Sequence, residues 1–423
     1  MKKVVKKIAL LLIVFGIGVG VTLLYTNNKF KVYEEENPKQ IKKHVDTISM
    51  MLETEAGSGN YEMTTASSWP TDGYVFNPTL SKCENGSELS WDGTNKSVVM
   101  TGNVSDKCYV YFDIYVPTIA DFCSSGDMLA TCVKNFGNQG TDMSNIYIHN
   151  SGLTNGAGDN SYRYAGVNPN NYVCFGTNTT PCPTDNLYRI IGVFGNNVKL
   201  IKYDYATSTL LGTDGDYYGK YPFSSSTYKG SNYANIASYY WNNSTQTNTW
   251  STSLLNKTNL NKNFITNIGA DWAAKIDTTT WKVGGNTWAN IGTQPAKTAY
   301  QNEIVSPVTT NTTDGATEYS AKIGLMYVSD YGFAAVPSAW TSNLLDYDGE
   351  GINSANWMYM GLYEWTISRR ADSSDFAFVV IGDGNVNINV VYGHYGVRPS
   401  FNLESAITYV SGSGSADDPI VIN

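Results

Sequence analysis

The chain has 423 residues, of which only 15% are charged, and its formal net charge at pH 7 is −9. A chain this long predicts two or three folded units, and its 31 tyrosines and 39 glycines argue against a coiled coil or a long-helix protein. The negative charge disfavours nucleic acid as a partner, because binding to phosphates needs a basic surface.

The first 28 residues predict a cytoplasmic tip followed by a membrane anchor. Ile8–Tyr25 is an uncharged run of 18 residues, which as a helix would span about 27 Å, close to one bilayer core. Four lysines precede the run, so the N-terminus is expected inside and the rest of the chain outside. The prediction is a single-pass plasma-membrane protein with an extracellular C-terminal region. A cleaved signal peptide is the alternative.

Three segments are predicted between the membrane anchor and the main domain. Residues 29–56 form a stalk helix, because apolar residues recur at helical spacing: Ile41, Val45, Ile48 and Leu52. Residues 57–135 form a small cysteine-containing β unit that ends in a short helix. Residues 136–158 are rich in Asn, Gly and Ser and form a linker.

Six cysteines support an extracytoplasmic location, because disulfides persist in oxidising compartments. Six cysteines allow fifteen pairings. Their spacing favours three local bridges in sequence order: Cys83–Cys108, Cys123–Cys132 and Cys174–Cys182. A zinc site is disfavoured, because no C-x-x-C occurs and the three histidines lie far apart in sequence.

Residues 159–423 predict one larger α+β domain. Leu187–Tyr203 has the pattern of a β-hairpin with its turn at residues 195–197. Thr249–Ile276 then changes to helical periodicity, with an apolar face made by Phe264, Ile268, Trp272 and Ile276. Short strands follow to the end of the chain, and early helices with late strands are typical of the α+β class.

No catalytic signature is found, and the chain is predicted not to be an enzyme. It has no G-x-S-x-G elbow, and none of its histidines lies in a recognisable motif. Glu364 is expected to be a buried partner of Arg369 or Arg398. No cofactor is required, but calcium is possible, because acidic residues alternate in one loop, at Asp346, Asp348 and Glu350. An acidic surface turn is the alternative interpretation.

Several motifs, in order, resemble an uncharacterised bacterial family of extracytoplasmic domains related to the C-type-lectin-like fold of the formylglycine-generating enzymes. They include "WSTSLLNKTNLNKNF", "EWTISRRADSSDFAFVV" and "YGVRPSFNL", and the resemblance covers about Tyr188–Leu403. It implies a lectin-like domain whose motif residues are Trp365, Gly396, Arg398 and Pro399. The enzymes of that fold use cysteines in the catalytic domain, whereas the last cysteine here is Cys182, so their chemistry is not expected.

The stretch "GDGNVNINVVYGHYGVRPSF" alternates asparagines with apolar residues, which predicts a half-buried strand. The variable proteins of diversity-generating retroelements share the C-type-lectin-like fold, and their last strands present the ligand-facing positions. The resemblance therefore implies a ligand face made of polar residues near the C-terminus: Arg370, Asp372, Ser373, Asp375, Asp383, Asn385, Asn387, Asn389 and His394. An ordinary solvated strand face is the alternative.

Together these features predict a membrane-anchored bacterial surface protein whose distal domain binds a glycan or a surface protein, as an adhesin or receptor does. Two alternatives stay open. One is a pilin-like or envelope structural protein, and the other is a carbohydrate-active enzyme.

Overall fold

The computed structural model describes residues 31–33, 48–70, 72–102, 106–223, 225–292, 294–307, 317–349 and 351–423. The predicted membrane anchor lies outside these ranges. Within them, no helix is long and apolar enough to cross a membrane. The chain divides into two units, Met1–Val116 and Pro117–Asn423.

The described part of the first unit is built from strands: β1 Lys31–Tyr33, β2 Ile48–Glu53, β3 Tyr61–Thr64, β4 Tyr74–Phe76, β5 Lys82–Cys83, β6 Glu88–Asp92, β7 Ser97–Thr101 and β8 Cys108–Ile114. One sheet has the order β3-β2-β8-β4 with β5 also paired to β8, and the other has the order β1-β7-β6. Alternate residues of β8 are buried, and Val110 and Phe112 pack with Met50 and Trp69 into a small core.

The stalk helix predicted over residues 29–56 is wrong in its described part, because β2 occupies its C-terminal end. β2 pairs in parallel with β8 and antiparallel with β3. Ile48 and Leu52 lie four residues apart, a spacing that puts two residues on one face of a strand as well as of a helix. Both pack against the core with Met50, which lies between them, so the strand period is the one realised.

The strands of the second unit are β9 Ile146–Ile148, β10 Tyr162–Tyr164, β11 Tyr172–Cys174, β12 Leu187–Phe194, β13 Asn197–Lys202, β14 Tyr217–Lys220, β15 Ala237–Tyr240, β16 Thr279–Lys282, β17 Glu318–Ala321, β18 Ile323–Gly324, β19 Glu364–Arg369, β20 Phe376–Val380, β21 Val386–Val390, β22 His394–Tyr395, β23 Ser400–Asn402, β24 Tyr409–Ser411 and β25 Val421–Ile422. The largest sheet has the order β18-β23-β13-β12-β10-β9, with β11 also paired to β12. Smaller sheets are β14-β15-β22, β19-β20-β21, β16-β17 and β24-β25.

The helices of the second unit are short. The α-helices are Leu129–Gly137, Thr141–Ser144, Ser208–Leu211, Ile265–Asn267, Ala270–Ala274, Trp288–Gly292, Ala296–Tyr300 and Val328–Phe333, and π-helical turns span Leu255–Phe264 and Gln301–Val305. Single 3₁₀ turns span Ile119–Phe122, Thr184–Asn186, Tyr233–Asn235, Pro337–Thr341, Leu344–Asp346 and Ile352–Ala355.

The predicted fold class, α+β with a transmembrane helix, is therefore wrong for the described chain, which is mostly strands with few helices. The helix expected over Thr249–Ile276 shows the reason. The segment is divided into a π-helix that ends at Phe264, the short α-helix Ile265–Asn267 and, after Gly269 with φ of +86°, the short α-helix Ala270–Ala274. Asparagine side chains also bond backbone carbonyls here, as Asn259 does with Leu211 and Asp214.

The boundary between the units differs from the predicted organisation. Cys123–Cys132 and helix Leu129–Gly137 belong to the second unit, although the sequence placed them in the small β unit. The stretch predicted as a linker, 136–158, contains β9, which pairs with β10 in the largest sheet. The three predicted disulfide bonds are confirmed. The β12–β13 hairpin is confirmed as well.

Candidate ligand-binding surface

Asn385, the first of the predicted ligand-facing asparagines, is a buried structural residue. Its Nδ2 donates to Asp348 Oδ1 at 2.6 Å, and its Oδ1 accepts from the Asp348 backbone N–H at 2.9 Å. Asn385 is 8% exposed. Both hydrogen-bonding ends of the amide are thus used to join its turn to the loop of Asp348.

We expect Asn385→Ala to lower the free energy of unfolding by about 1–3 kcal/mol, because it removes two hydrogen bonds, one of them to a carboxylate, that join the buried Asn385 to the exposed Asp348. Asn387→Ala is the matched control and should change stability by less than about 0.5 kcal/mol. Urea denaturation of the two variants measures both values. Equal stability of the two variants would show that Asn385 is an ordinary solvated residue.

Asn387 and Asn389 lie on β21 and are half-buried. Their Oδ1 atoms accept the backbone N–H groups of Ile388 and Val390, at 2.8 and 2.9 Å. β21 pairs with β20, with Asn389 opposite Ala377 and Asn387 opposite Val379. Asn387 and Asn389 therefore lie on the same face of β21, as the alternation of asparagines with apolar residues predicted.

The other predicted ligand-facing residues mostly bond one another. Arg370 binds Asp372 through two hydrogen bonds of 2.7 and 3.2 Å. Ser373 donates to Asp375 at 2.6 Å. Asp383 accepts the backbone N–H of Asn385 at 3.0 Å. These polar groups form local turns, so the structure does not bring the nine predicted residues together on one ligand face.

His394 lies instead on a surface of aromatic side chains, which we call the aromatic surface and define by Tyr218, Phe223, Tyr240, Tyr363 and His394. The sheet β14-β15-β22 builds most of it. Tyr240 pairs with His394 across β15 and β22, and one residue earlier Tyr239 pairs with Tyr395. Because side chains alternate across a strand, Tyr239 enters the core while its neighbour Tyr240 is only partly buried.

The rings of the aromatic surface form one continuous cluster. The Tyr218 and His394 rings lie parallel, with centroids 3.4 Å apart and an angle of 4° between their planes. Phe223 lies parallel to His394 at 6.2 Å, and Tyr240 meets Tyr218 edge-on at 5.6 Å. Tyr363 lies 6.2 Å from Phe223. The edge-on contact of Tyr240 with Tyr218 is a favoured aromatic geometry, whereas Tyr218 and His394 lie face to face without an offset.

Two members of the aromatic surface are unusually exposed for their size, Tyr218 at 48% and Phe223 at 46%. Burial of the His394 ring lowers its pKa from the ordinary value of 6.5, so the ring is neutral at pH 7. The neutral imidazole ring stacks like any other aromatic ring and adds no charge to the aromatic surface. Exposed apolar groups packed together on a folded protein are typical of an interaction site.

Sequence reasoning identified His394 but missed Tyr218, Phe223, Tyr240 and Tyr363. Tyr218, Tyr240 and His394 lie on β14, β15 and β22. The last of these strands is far from the other two in sequence, and only strand pairing brings it beside them. The available signal was compositional: the stretch "DYYGKYPF" is dense in aromatic residues.

The motif residues implied by the resemblance are buried. Trp365 donates its Nε1–H to the Tyr239 carbonyl at 2.9 Å. Arg398 forms an ion pair with Glu364 at 2.7 Å, which is one of the two partners expected. Gly396 lies against the Tyr205 ring, where a Cβ would come within 2.7 Å of a ring carbon. Pro399 accepts the Lys202 backbone N–H through its carbonyl oxygen. All four are therefore structural residues, and Trp365 bonds directly to β15, the strand that carries Tyr240.

The predicted calcium loop does not form a metal cluster within the described residues. Asp346 accepts from the Asn343 amide, and Asp348 is bonded to Asn385. Glu350 lies outside the described residues. Elsewhere in the described part of the chain, ligand atoms of Cys123, Asp127 and Cys132 lie close enough together to hold one ion. The two sulfurs of that group form a disulfide, so it is not a metal centre.

Comparison with protein-family models, with curated proteins and with solved structures finds no match for this chain. The resemblance to extracytoplasmic lectin-like domains therefore stays a prediction from sequence motifs, and the assignment of a function depends on the surface itself.

Proposed function

We propose that the second unit binds a neutral glycan through the aromatic surface. The observation that carries the proposal is the parallel stack of Tyr218 on His394, flanked by Phe223 and left open to solvent. One face of a sugar ring presents C–H groups, which pack well on the electron-rich face of an aromatic ring. Rings that are already held by one another lose little conformational freedom on binding.

Polar groups beside the rings supply the donors and acceptors that a sugar hydroxyl needs. Asn389 lies near His394 of the aromatic surface. Its Oδ1 would be 3.2 Å from a Cβ added at Gly393, the residue before His394, and its side chain interacts with the Tyr395 hydroxyl. Asn387 follows two residues away on the same strand. Part of the ligand face expected from the sequence thus borders the site proposed here.

The three disulfide bonds support an extracytoplasmic location, where such bonds persist and where glycans of cell surfaces are encountered. The function proposed is non-catalytic recognition, as in an adhesin or receptor.

We expect Tyr218→Ala to weaken glycan binding about tenfold, or roughly 1.4 kcal/mol, because it removes the most exposed ring of the stack. Tyr115→Ala in the first unit is the matched control, since Tyr115 is 41% exposed. A glycan array with the full chain selects the ligand, and calorimetry on the best hit measures the dissociation constants.

Loss of affinity in Tyr218→Ala alone, with an unchanged melting curve, supports the proposal. Unchanged affinity in both variants contradicts it. Binding to surface proteins with a silent glycan array would assign the aromatic surface to a protein ligand, and hydrolysis of the array glycans would support the enzyme alternative.

A further inference from the structure

A concave site lies around Arg189 of β12, a pocket of about 220 Å³. It is smaller than the roughly 300–1,000 Å³ of sites for drug-sized ligands, so it suits a small group. The side chains that matter here are Arg189, Tyr172, Trp357, Tyr203, Lys229 and Asn168. No aspartate or glutamate is found among the described residues that line it.

The Arg189 guanidinium is rigidly held from several sides. Nε donates to Asn171 at 2.6 Å, and Nη2 donates to Asn168 at 3.1 Å and to the Pro169 carbonyl at 2.8 Å. The Tyr172 and Trp357 rings also lie against the group, with centroids 4.2 and 4.6 Å from Cζ. This arrangement fixes the guanidinium with very little freedom to seek another partner.

Nη1 has donor capacity left over. Within the described chain its one hydrogen bond is a long contact of 3.5 Å to the Trp357 carbonyl. Nη1 carries two hydrogens, so at least one is free for a ligand. Arg189 is 3% exposed and lines the pocket, so a small group in the pocket would lie beside its guanidinium.

The charge around Arg189 is unbalanced. No carboxylate within the described ranges forms an ion pair with Arg189, unlike Arg398, which pairs with Glu364. Burial lowers the Arg189 pKa to about 10, so the group is still cationic at pH 7. A buried cation without a counter-ion is unfavourable, and an anion in the pocket would relieve that cost.

Lys229 adds a second cation at the same pocket. Its Nζ lies over the Tyr359 ring at 4.6 Å, and its one hydrogen bond among the described residues is 3.5 Å long, to the Asn353 carbonyl. Lys229 is exposed, so its ammonium group can move toward a ligand without repacking of the core.

We propose that this pocket binds an oxyanion, a carboxylate, sulfate or phosphate group, between Nη1 of Arg189 and Nζ of Lys229. Both donors are cationic, and charge-assisted hydrogen bonds to such oxygens are the strong ones. The asparagines and rings around Arg189 keep the donor in place before the ligand arrives, which reduces the entropy lost on binding. The pocket contains no residue of the aromatic surface, so this proposal can be correct whether or not that surface binds a glycan.

The test is calorimetry and thermal shift of the full chain with inorganic sulfate, inorganic phosphate, D-glucuronate and D-glucose, at matched ionic strength. We expect one equivalent of at least one anion to bind with a dissociation constant near or below about 1 mM, and D-glucose not to bind the pocket. Binding of inorganic ions identifies a free anion as the ligand, whereas binding of D-glucuronate alone identifies a carboxylate carried by a sugar.

Lys229→Gln should weaken that binding about tenfold, and Lys229→Arg should restore most of it. Lys257→Gln is the matched control, because Lys257 is also exposed and lies on the π-helical turn, outside the pocket. The proposal is overturned if no anion binds, if Lys229→Gln binds as the parent does, or if Lys257→Gln loses as much affinity.

Discussion

Asp330→Asn is expected to lower the free energy of unfolding by about 3–5 kcal/mol, the cost of removing one partner of a buried ion pair. Asp330 is 3% exposed, and its Oδ2 accepts from Lys199 Nζ at 2.5 Å. Its Oδ1 lies 3.5 Å from Nη1 of Arg163, and Nη2 of the same arginine binds Asp159 at 2.7 Å. Asparagine preserves the size of the side chain but leaves Lys199 buried without an anion.

Chemical denaturation of Asp330→Asn and of Glu318→Gln measures this effect against a surface pair. Glu318 binds Lys282, but both side chains are substantially exposed. Exposed pairs contribute about 0–1 kcal/mol, so Glu318→Gln should change stability little. Adding Lys199→Met to Asp330→Asn should recover part of the loss, because it removes the stranded cation. Equal effects of Asp330→Asn and Glu318→Gln would contradict the account of this buried network.

His149 is expected to contribute stability that acid removes. The ring is fully buried, and its Nδ1 accepts the Ala157 N–H at 3.0 Å. Burial, followed by the nearby Arg163 charge, lowers its pKa from 6.5 to about 3, although Asp159 opposes the shift. Between these values the unfolded chain binds a proton that the folded protein does not. Stability is therefore fully present above pH 6.5 and falls as the pH drops toward 3.

The size of the effect is about 1.4 kcal/mol per pH unit, or roughly 4–5 kcal/mol over the whole range. Glu303 acts in the opposite direction, because burial raises its pKa from 4.5 to about 7 and its contribution is lost as the pH rises through 7. The parent's stability curve combines both groups, so a comparison with His149→Asn is needed to separate them.

His149→Asn keeps an acceptor for the Ala157 N–H but does not titrate. We expect the stability of the parent minus that of the variant to decrease steadily from pH 6.5 to 4.5 in denaturation experiments at fixed temperature. The cavity left by the smaller side chain adds an offset that does not depend on pH. A difference that stays constant across this range would show that His149 is not a buried neutral histidine.

Local features of this chain could be predicted from the sequence. The three disulfide bonds join cysteines that are close in sequence, and the β12–β13 hairpin has its turn residues in place. In these cases the residues that pair with each other lie within one short stretch of the sequence.

Features that depend on distant partners could not be predicted. The alternation around Asn385 indicates which residues share a strand face, but it does not reveal that Asn385 bonds Asp348, 37 residues away. The spacing of Ile48 and Leu52 fits helix and strand equally, and pairing with β8 decides between them. The aromatic surface exists only because β14, β15 and β22 pair. The lack of a counter-ion at Arg189 is likewise a property of the fold.

The central claim is that the aromatic surface holds a glycan, and a crystal structure of the full chain with the tightest-binding array glycan tests it most directly. A sugar ring is expected to pack on the exposed face of the Tyr218–His394 stack, with hydroxyl contacts on the side of Asn389. A glycan bound at another place on the protein, with the rings of Tyr218 and Phe223 still open to solvent, would contradict it.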